Sequence, residues 1–293
     1  MDDTSVWRVA DLSLPLCDPL VMGILNVTPD SFSDGGDYVN INNAVEHARA
    51  MVSDGAAIVD IGGESTRPGA EPIDVRTEHD RVMPVVAALA SEGIVVSVDT
   101  SKPAIAEEAL AAGAKIVNDV TGLTNPDMRS VCADSGAGVV VMHMQGTPET
   151  MQIDPTYDDV VVEIGKYLAR RSLDAIEAGI RVESVAIDPG IGFGKTLDHN
   201  LTLLRELGAF THLGYPVVVG TSRKGFLGSL LEPVRGHTEP SERDGATAAT
   251  MAAAVLKGAK ILRVHNVRLA VDVAVSAKAM VPEEHDAEKI NRT

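Results

Sequence analysis

Apolar runs recur along this chain, and each stops at a residue that can do chemistry. The run 20–25 stops at Asn26, and the run 57–61 leads into Gly62-Gly63-Glu64-Ser65-Thr66-Arg67. The run 94–98 stops at Asp99, 115–117 at Asn118, 139–142 at His143 and 185–187 at Asp188. The run 216–220 leads to Ser222-Arg223-Lys224, and 261–262 closes the series with Arg263-Val264-His265. Helical composition follows each run. Residues 42–54 place Ala44, Ala48 and Met51 at three- and four-residue spacing, and 77–90, 104–112, 157–178, 245–256 and 268–280 read similarly. Eight strand–helix units with polar strand ends predict one α/β architecture, a (β/α)8 or TIM barrel. Its site lies at the C-terminal mouth of the strands, where residues distant in the chain become neighbours.

Two connections break the pattern of short loops. Residues 27–38 and 62–73 are long, rich in Gly, Pro, Ser, Thr and Asp, and sit at the expected mouth. Loops of that kind more often serve as functional lids than as spacers. Residues 1–19 read as an N-terminal extension with a short edge strand around Trp7-Arg8-Val9. Residues 20–281 read as one domain without a linker, and 282–293 as a polar C-terminal tail.

The formal net charge of -17 argues against nucleic acid, whose backbone needs a basic stripe, and aromatics at 3% argue against a stacking platform. An anionic small substrate would need locally concentrated positive charge. The strand-end residues Arg67, Arg223, Lys224, Arg263 and His265 fit that need. The two cysteines, Cys17 and Cys132, form neither a disulfide framework nor a CxxC metal spacing. The start Met1-Asp2-Asp3 shows no basic or apolar leader region, and no apolar stretch approaches the ~20 residues of a membrane span. The expectation is a cytoplasmic protein with no membrane partner.

The most specific strings are Gly23-Ile24-Leu25-Asn26-Val27-Thr28-Pro29-Asp30-Ser31-Phe32-Ser33-Asp34-Gly35-Gly36 and Gly62-Gly63-Glu64-Ser65-Thr66-Arg67-Pro68-Gly69. With Val98-Asp99-Thr100, Ile116-Val117-Asn118-Asp119, Met142-His143-Met144-Gln145-Gly146-Thr147-Pro148, Asp188 through Lys195, Gly220 through Lys224 and Arg263-Val264-His265, they follow one another in a consistent register over about 20–280. The chain thereby resembles the dihydropteroate synthase family. That family condenses a pterin carrying a methyl diphosphate with p-aminobenzoate (4-aminobenzoate), and diphosphate leaves as 7,8-dihydropteroate forms.

The resemblance implies roles for individual residues. Asp99, Asn118 and Asp188 would hold the donor and acceptor edge of the pterin, a task suited to carboxylates and an amide. Taken singly, each is equally a strand-end cap for the next helix. Lys224 would reach the pterin, while Arg263 and His265 would hold the diphosphate; with Asp99 these form the catalytic group. Arg263 and His265 share one side of their strand by alternation, and Val264, a substrate-binding position in the family, points its side chain away. Asn26 would ligate Mg2+ on the diphosphate, with Asp34 joining through water. Thr66 and Arg67 belong to a substrate loop, and Phe32 and Pro68 would wall the 4-aminobenzoate slot. Met142 and Phe193 would supply apolar surface. Gly225 stands where several relatives carry Ser or Arg, so the 4-aminobenzoate carboxylate would fall to Ser222 and backbone N–H groups. His143 follows Met142 and should face away from the pocket.

An SN1-like path suits an anionic leaving group on a methylene attached to an electron-rich ring. An aniline is neutral and nucleophilic at pH 7, so no strong base is needed, and no Ser-His-Asp or Cys-His arrangement is present. Two other readings stay open on residues alone: a pterin methyltransferase with a corrinoid partner, and a paralogue that binds pterins without turning them over. The resemblance further implies a homodimer through outer helices and sensitivity to sulfonamides.

Overall fold

The computed structural model describes residues 6–28 and 37–281, with the backbone alone at 37–40. Phe32 and Asp34, and the tail 282–293, lie outside the described residues. Eight parallel strands form the centre: β3 (Leu20–Asn26), β4 (Ile58–Gly62), β5 (Val96–Asp99), β6 (Ile116–Asp119), β7 (Gly138–Met142), β8 (Val185–Asp188), β9 (Val218–Val219) and β10 (Ile261–Val264). Hydrogen bonding runs in sequence order from β3 to β8, and β10 joins β3 to β9. A parallel bridge between Ile187 and Val217 brings β8 to the segment before β9 and closes the barrel.

Alternation sorts each strand into two faces. Val59, Ile61, Val98, Val117, Val139 and Val264 point outward into the main core between barrel and helices. Ile24, Asp60 and Ser97 stand side by side on the inner face by register. One step nearer the mouth, Asn26, Gly62, Asp99 and Asn118 form the next inner row.

The connecting helices are α1 (Asp37–Ser53), α2 (Val75–Ser91), α3 (Pro103–Ala111), α4 (Pro126–Ser135), α5 (Val160–Glu177), α6 (Leu197–Arg205), α7 (Gly208–Thr211), α8 (Gly225–Arg235), α9 (Asp244–Leu256) and α10 (Val267–Ala279). Their starts are chemically marked. Asp74 accepts from Thr77 N at 2.7 Å ahead of α2, and Asp159 accepts from Val161 N and Val162 N ahead of α5. Thr196 and His199 form a reciprocal cap on α6. The spans expected from spacing agree with these helices to within a few residues, except that α1 begins five residues earlier than expected, at Asp37.

The N-terminal segment departs from expectation. The expected short strand around Trp7-Arg8-Val9 is present, but in a sheet of its own and not on the barrel. β1 (Val6–Val9) pairs antiparallel with β2 (Leu12–Pro15) in a separate two-stranded sheet. This hairpin plugs the N-terminal end of the barrel. Trp7, Val9 and Leu16 pack on Met22, Ile58, Ile116, Val140, Val218 and Ile261, the innermost apolar side chains of six strands. Trp7 is fully buried and donates its indole N–H to Ser184 O at 2.9 Å. A barrel floor is thereby closed by side chains from outside the eight units. Trp7→Ala removes the largest of these and should cost about 3 to 5 kcal/mol in denaturant unfolding, with the mouth chemistry unaffected.

Candidate active site

The strand ends converge as the periodicity predicts, and the deepest of the polar groups form a charged network. Arg263 points inward from β10. Its Nε donates to Asp60 Oδ2 at 2.6 Å, and its Nη2 donates to Asp99 Oδ2 at 2.5 Å. Asn118 Nδ2 donates to the same Asp60 oxygen at 3.0 Å. Arg263 is therefore placed deeper than a rim clamp, with its side chain only 17% exposed and committed to two carboxylates. Val264 faces the outer core and is fully buried, so only its backbone is available to a ligand.

Burial pushes the Asp99 carboxyl up to about 7, with Arg263 pulling the other way and Asp60 adding to the rise. Burial also raises Asp188, opposed by Lys224 and by the Gly190 N–H, which donates to Asp188 Oδ1 at 2.7 Å. Lys224 is pushed down to about 7 by burial, opposed by Asp188. Each of these groups lacks a full counter-charge, the usual condition of ionisable groups at a functional site.

Lys224 precedes α8 and donates to Ile191 O. Its ammonium also lies 4.3 Å from the centre of the Phe193 ring. The loop carrying Phe193 is pinned on several sides. Gln152 donates to Gly192 O, Tyr157 to Gly194 O, and Gly192 N donates to Asn200 Oδ1. Two glycines make this path possible. Gly190 and Gly192 have φ of 68° and 86°. A Cβ at Gly192 would stand 2.7 Å from Lys224 Cδ, and one at Gly190 would strike His143 O.

His265 and Ser222 form a second group at the mouth. Ser222 Oγ accepts from His265 N at 3.1 Å and lies 2.9 Å from His265 Nδ1. The hydroxyl and the imidazole thus hold each other in one orientation, whichever of the two donates at Nδ1. Burial pushes His265 down to about 3, helped by the charges of Arg263, Arg223 and Arg67. Those cations leave room for an anion beside the ring. Thr66 is half-buried, and Arg67 and Pro68 are exposed on the loop after β4. Asn26 is half-buried at the end of β3, next in register to Gly62, which in turn neighbours Asp99. Met142 is buried at the end of β7, opposite Asp188.

Two strand-end residues turn away. Arg223 pairs with Asp244 through Nε and Nη2 at 2.8 and 3.0 Å, on the α9 side, and acts on the mouth only through its charge at His265. His143 packs edge-on against Tyr167, 4.8 Å between ring centres, and faces Lys195 Nζ at 3.1 Å. Burial and then Lys195 push it down to about 3, so it is a neutral structural residue. Asp60 is the functional-site residue that the strand-end reading missed. Its signal was its place between Val59 and Ile61, in phase with Gly62 on the inner face.

The family described as pterin binding enzyme matches residues 22–265. The dihydropteroate synthase of Escherichia coli K12 is 48% identical over 261 residues, covering 89% of this chain and 91% of that one. The chain belongs to the dihydropteroate synthase family. The enzyme of that name from Neisseria meningitidis serogroup C is 43% identical over 94% of this chain and 97% of its own. Two solved dihydropteroate synthases superpose closely. The Yersinia pestis enzyme in a sulfonamide drug complex has a TM-score of 0.87 at 43% identity, covering 94% of this chain and 98% of that one. The Xanthomonas albilineans enzyme with 4-aminobenzoic acid has a TM-score of 0.88 at 42% identity, covering 95% and 100%.

The His265 environment carries a pH prediction. Its depressed value means that the ring in the free protein gains no proton between pH 5 and 8, and its NMR shifts should be flat there. Adding diphosphate supplies the opposite charge, favours the protonated ring and should move its titration upward toward the ordinary range near 6.5.

Proposed function

We propose that this chain joins (7,8-dihydropterin-6-yl)methyl diphosphate to 4-aminobenzoate, releasing diphosphate and forming 7,8-dihydropteroate in tetrahydrofolate biosynthesis. The observation that carries this reading is the gathering of Asn26, Asp99, Asn118, Asp188, Lys224, Arg263 and His265 at one barrel mouth, in a chain of this family. Residues 20–281 act as one catalytic domain.

In this reading the pterin enters flat, with its donor edge toward Asp99 and Asp188 and with Asn118 and Lys224 completing the contacts. Asp99 then exchanges a hydrogen bond from Arg263 for one from the heterocycle. The diphosphate stays outward, beside His265 and Arg67, with the Arg263 guanidinium beneath. The bond between the methylene carbon and the diphosphate oxygen breaks, and its electron pair leaves with diphosphate. The aniline nitrogen gives its lone pair to the methylene carbon and then passes one proton to the released diphosphate. Fixed cations offset charge growing on the leaving oxygen, and the Asp99 and Asp188 carboxylates face the developing cation. The loop that carries Thr66, Arg67 and Pro68 excludes water, which would otherwise capture it. Phe193 and Met142 supply apolar surface, and Ser222 orients His265.

Among the described residues no three His, Cys, Asp or Glu side chains converge on a metal position. A neutral amide such as Asn26 suits magnesium shared with substrate phosphates and water, with Asp34 as a further oxygen donor. When bound there, magnesium supplies charge neutralisation on the diphosphate.

A cytoplasmic location belongs to the same proposal. Among the described residues no helix is long and apolar enough to cross a membrane, and Cys17 and Cys132 are free thiols. A homodimer is also proposed, supported by exposed apolar side chains on outer helices, with Val234 on α8 at 87% and Val275 on α10 at 67% exposure.

The deciding assay mixes the protein with the pterin diphosphate and magnesium, with and without 4-aminobenzoate, and measures diphosphate. Release that depends on the amine, and that sulfonamides suppress competitively, is expected; release indifferent to the amine would end the synthase reading. Asp188→Ala should abolish calorimetric binding of a pterin lacking the diphosphate. Arg67→Ala should raise KM for 4-aminobenzoate about tenfold while leaving that pterin affinity within about twofold.

A further inference from the structure

Behind the loop after β4 lies a chain of charges that the strand-end chemistry does not use. Glu78, in the first turn of α2, is buried to within 1% of full enclosure. It accepts from Thr100 Oγ1 at 2.6 Å and from Lys102 Nζ at 2.5 Å. The same Lys102 ammonium bonds Glu64, the third residue of the loop that begins at Gly62. Arg81, also on α2, donates to Gly63 O at 2.9 Å. Gly63 itself is pressed against α2, since a Cβ there would stand 2.6 Å from Val82 Cγ2. The root of the loop is thus fastened at two consecutive residues to α2 and to the segment after β5.

Beyond the root the bonding thins. Arg67 N meets Ser65 Oγ at 3.4 Å, and Gly69 N reaches Pro148 O at 3.0 Å. Two residues separate Glu64 from Arg67, whose charge is felt at His265 across the mouth. An exposed ion pair would do little to hold such a loop. Here the lysine and Glu64 side chains are each only 20% exposed, and Glu78 is enclosed, so screening is weak and the geometry is fixed by burial.

We propose that Lys102 is a positioning residue for the second half of the reaction. The ladder Glu78–Lys102–Glu64 holds the root of the loop so that Thr66 and Arg67 project over the mouth toward His265. The pterin pocket, built on strand ends, does not depend on it. This inference rests on the synthase reading above, because it assigns Arg67 to the step that consumes 4-aminobenzoate.

Glu64→Ala is the cleanest test, since it frees the loop root and leaves the buried Lys102–Glu78 pair intact. It should raise KM for 4-aminobenzoate about fivefold to tenfold and keep the affinity for a pterin without diphosphate within about twofold. In an Arg67→Ala background the same change should add almost nothing, because both act through one side chain. Lys102→Arg should restore most of the function that Lys102→Met loses. Lys102→Met strands a buried carboxylate and can fail to fold, so Lys102→Met with Glu78→Gln, which removes that charge, is measured beside it. Wild-type kinetics in Glu64→Ala, an equal loss of pterin binding, or full additivity with Arg67→Ala would each overturn the tether. Absence of amine-dependent diphosphate release in the unaltered protein would instead overturn the synthase reading.

Discussion

The interior of this barrel is organised by the cost of burying charge. Arg263 cannot be neutralised, so it must be met by anions, and Asp60 and Asp99 meet it at 2.6 and 2.5 Å. Asp188 and Lys224 form the second opposed pair. Burial raises the affinity of Asp99 and Asp188 for protons, and Arg263 and Lys224 offset this only in part, a mismatch between charge and surroundings. A ligand that brings N–H donors into the pit relieves this mismatch; one that brings an anion there worsens it. The rim has the opposite bias, with Arg67 and a neutral, donor-bearing His265. On the proposed assignment this gradient orients the substrate, heterocycle inward and diphosphate outward. It also explains how a chain of net charge -17 accommodates a polyanion.

Two loops of the mouth are fixed by different means. The segment from Pro189 to Thr196 is held by hydrogen bonds from neighbouring helices and loops and by close approaches that only glycine permits. Such a segment presents Phe193 and Lys224 in one arrangement, whatever is bound. The segment 62–73 is fastened at its root and lightly bonded beyond it. On the proposed assignment this sets a fixed wall beside the heterocycle and an adaptable cover over the amine site.

The apolar runs and their polar ends made the barrel legible, because parallel strands with both faces covered leave long apolar runs that stop where the mouth begins. Asn26, Asp99, Asn118, Asp188, Lys224 and His265 were legible for the same reason. The hairpin that plugs the floor was not. Only its first strand was, around Trp7-Arg8-Val9, because the partner of Trp7 is a ring of residues spread over the whole chain. Asp60 escaped notice because it lies inside an apolar run, although its phase places it inward. Alternation gave the side of Arg263 correctly but not its depth, which is set by carboxylates on β4 and β5. The Glu64–Lys102–Glu78 ladder was invisible for a related reason: its members sit on a loop, a strand-to-helix turn and a helix, and no spacing connects them.

Proton positions follow from the same electrostatics. Burial lowers Lys224 and lifts Asp99, so each holds its charge less firmly than it would in water. A seated heterocycle changes both balances. Its N–H groups stabilise the ionised Asp99, while a carbonyl oxygen stabilises the charged Lys224. On the proposed assignment, binding therefore favours the ionised carboxylate and the charged ammonium together. The protein then requires no dedicated base, because the groups that recognise the ring are brought to their working charge states by the ring itself.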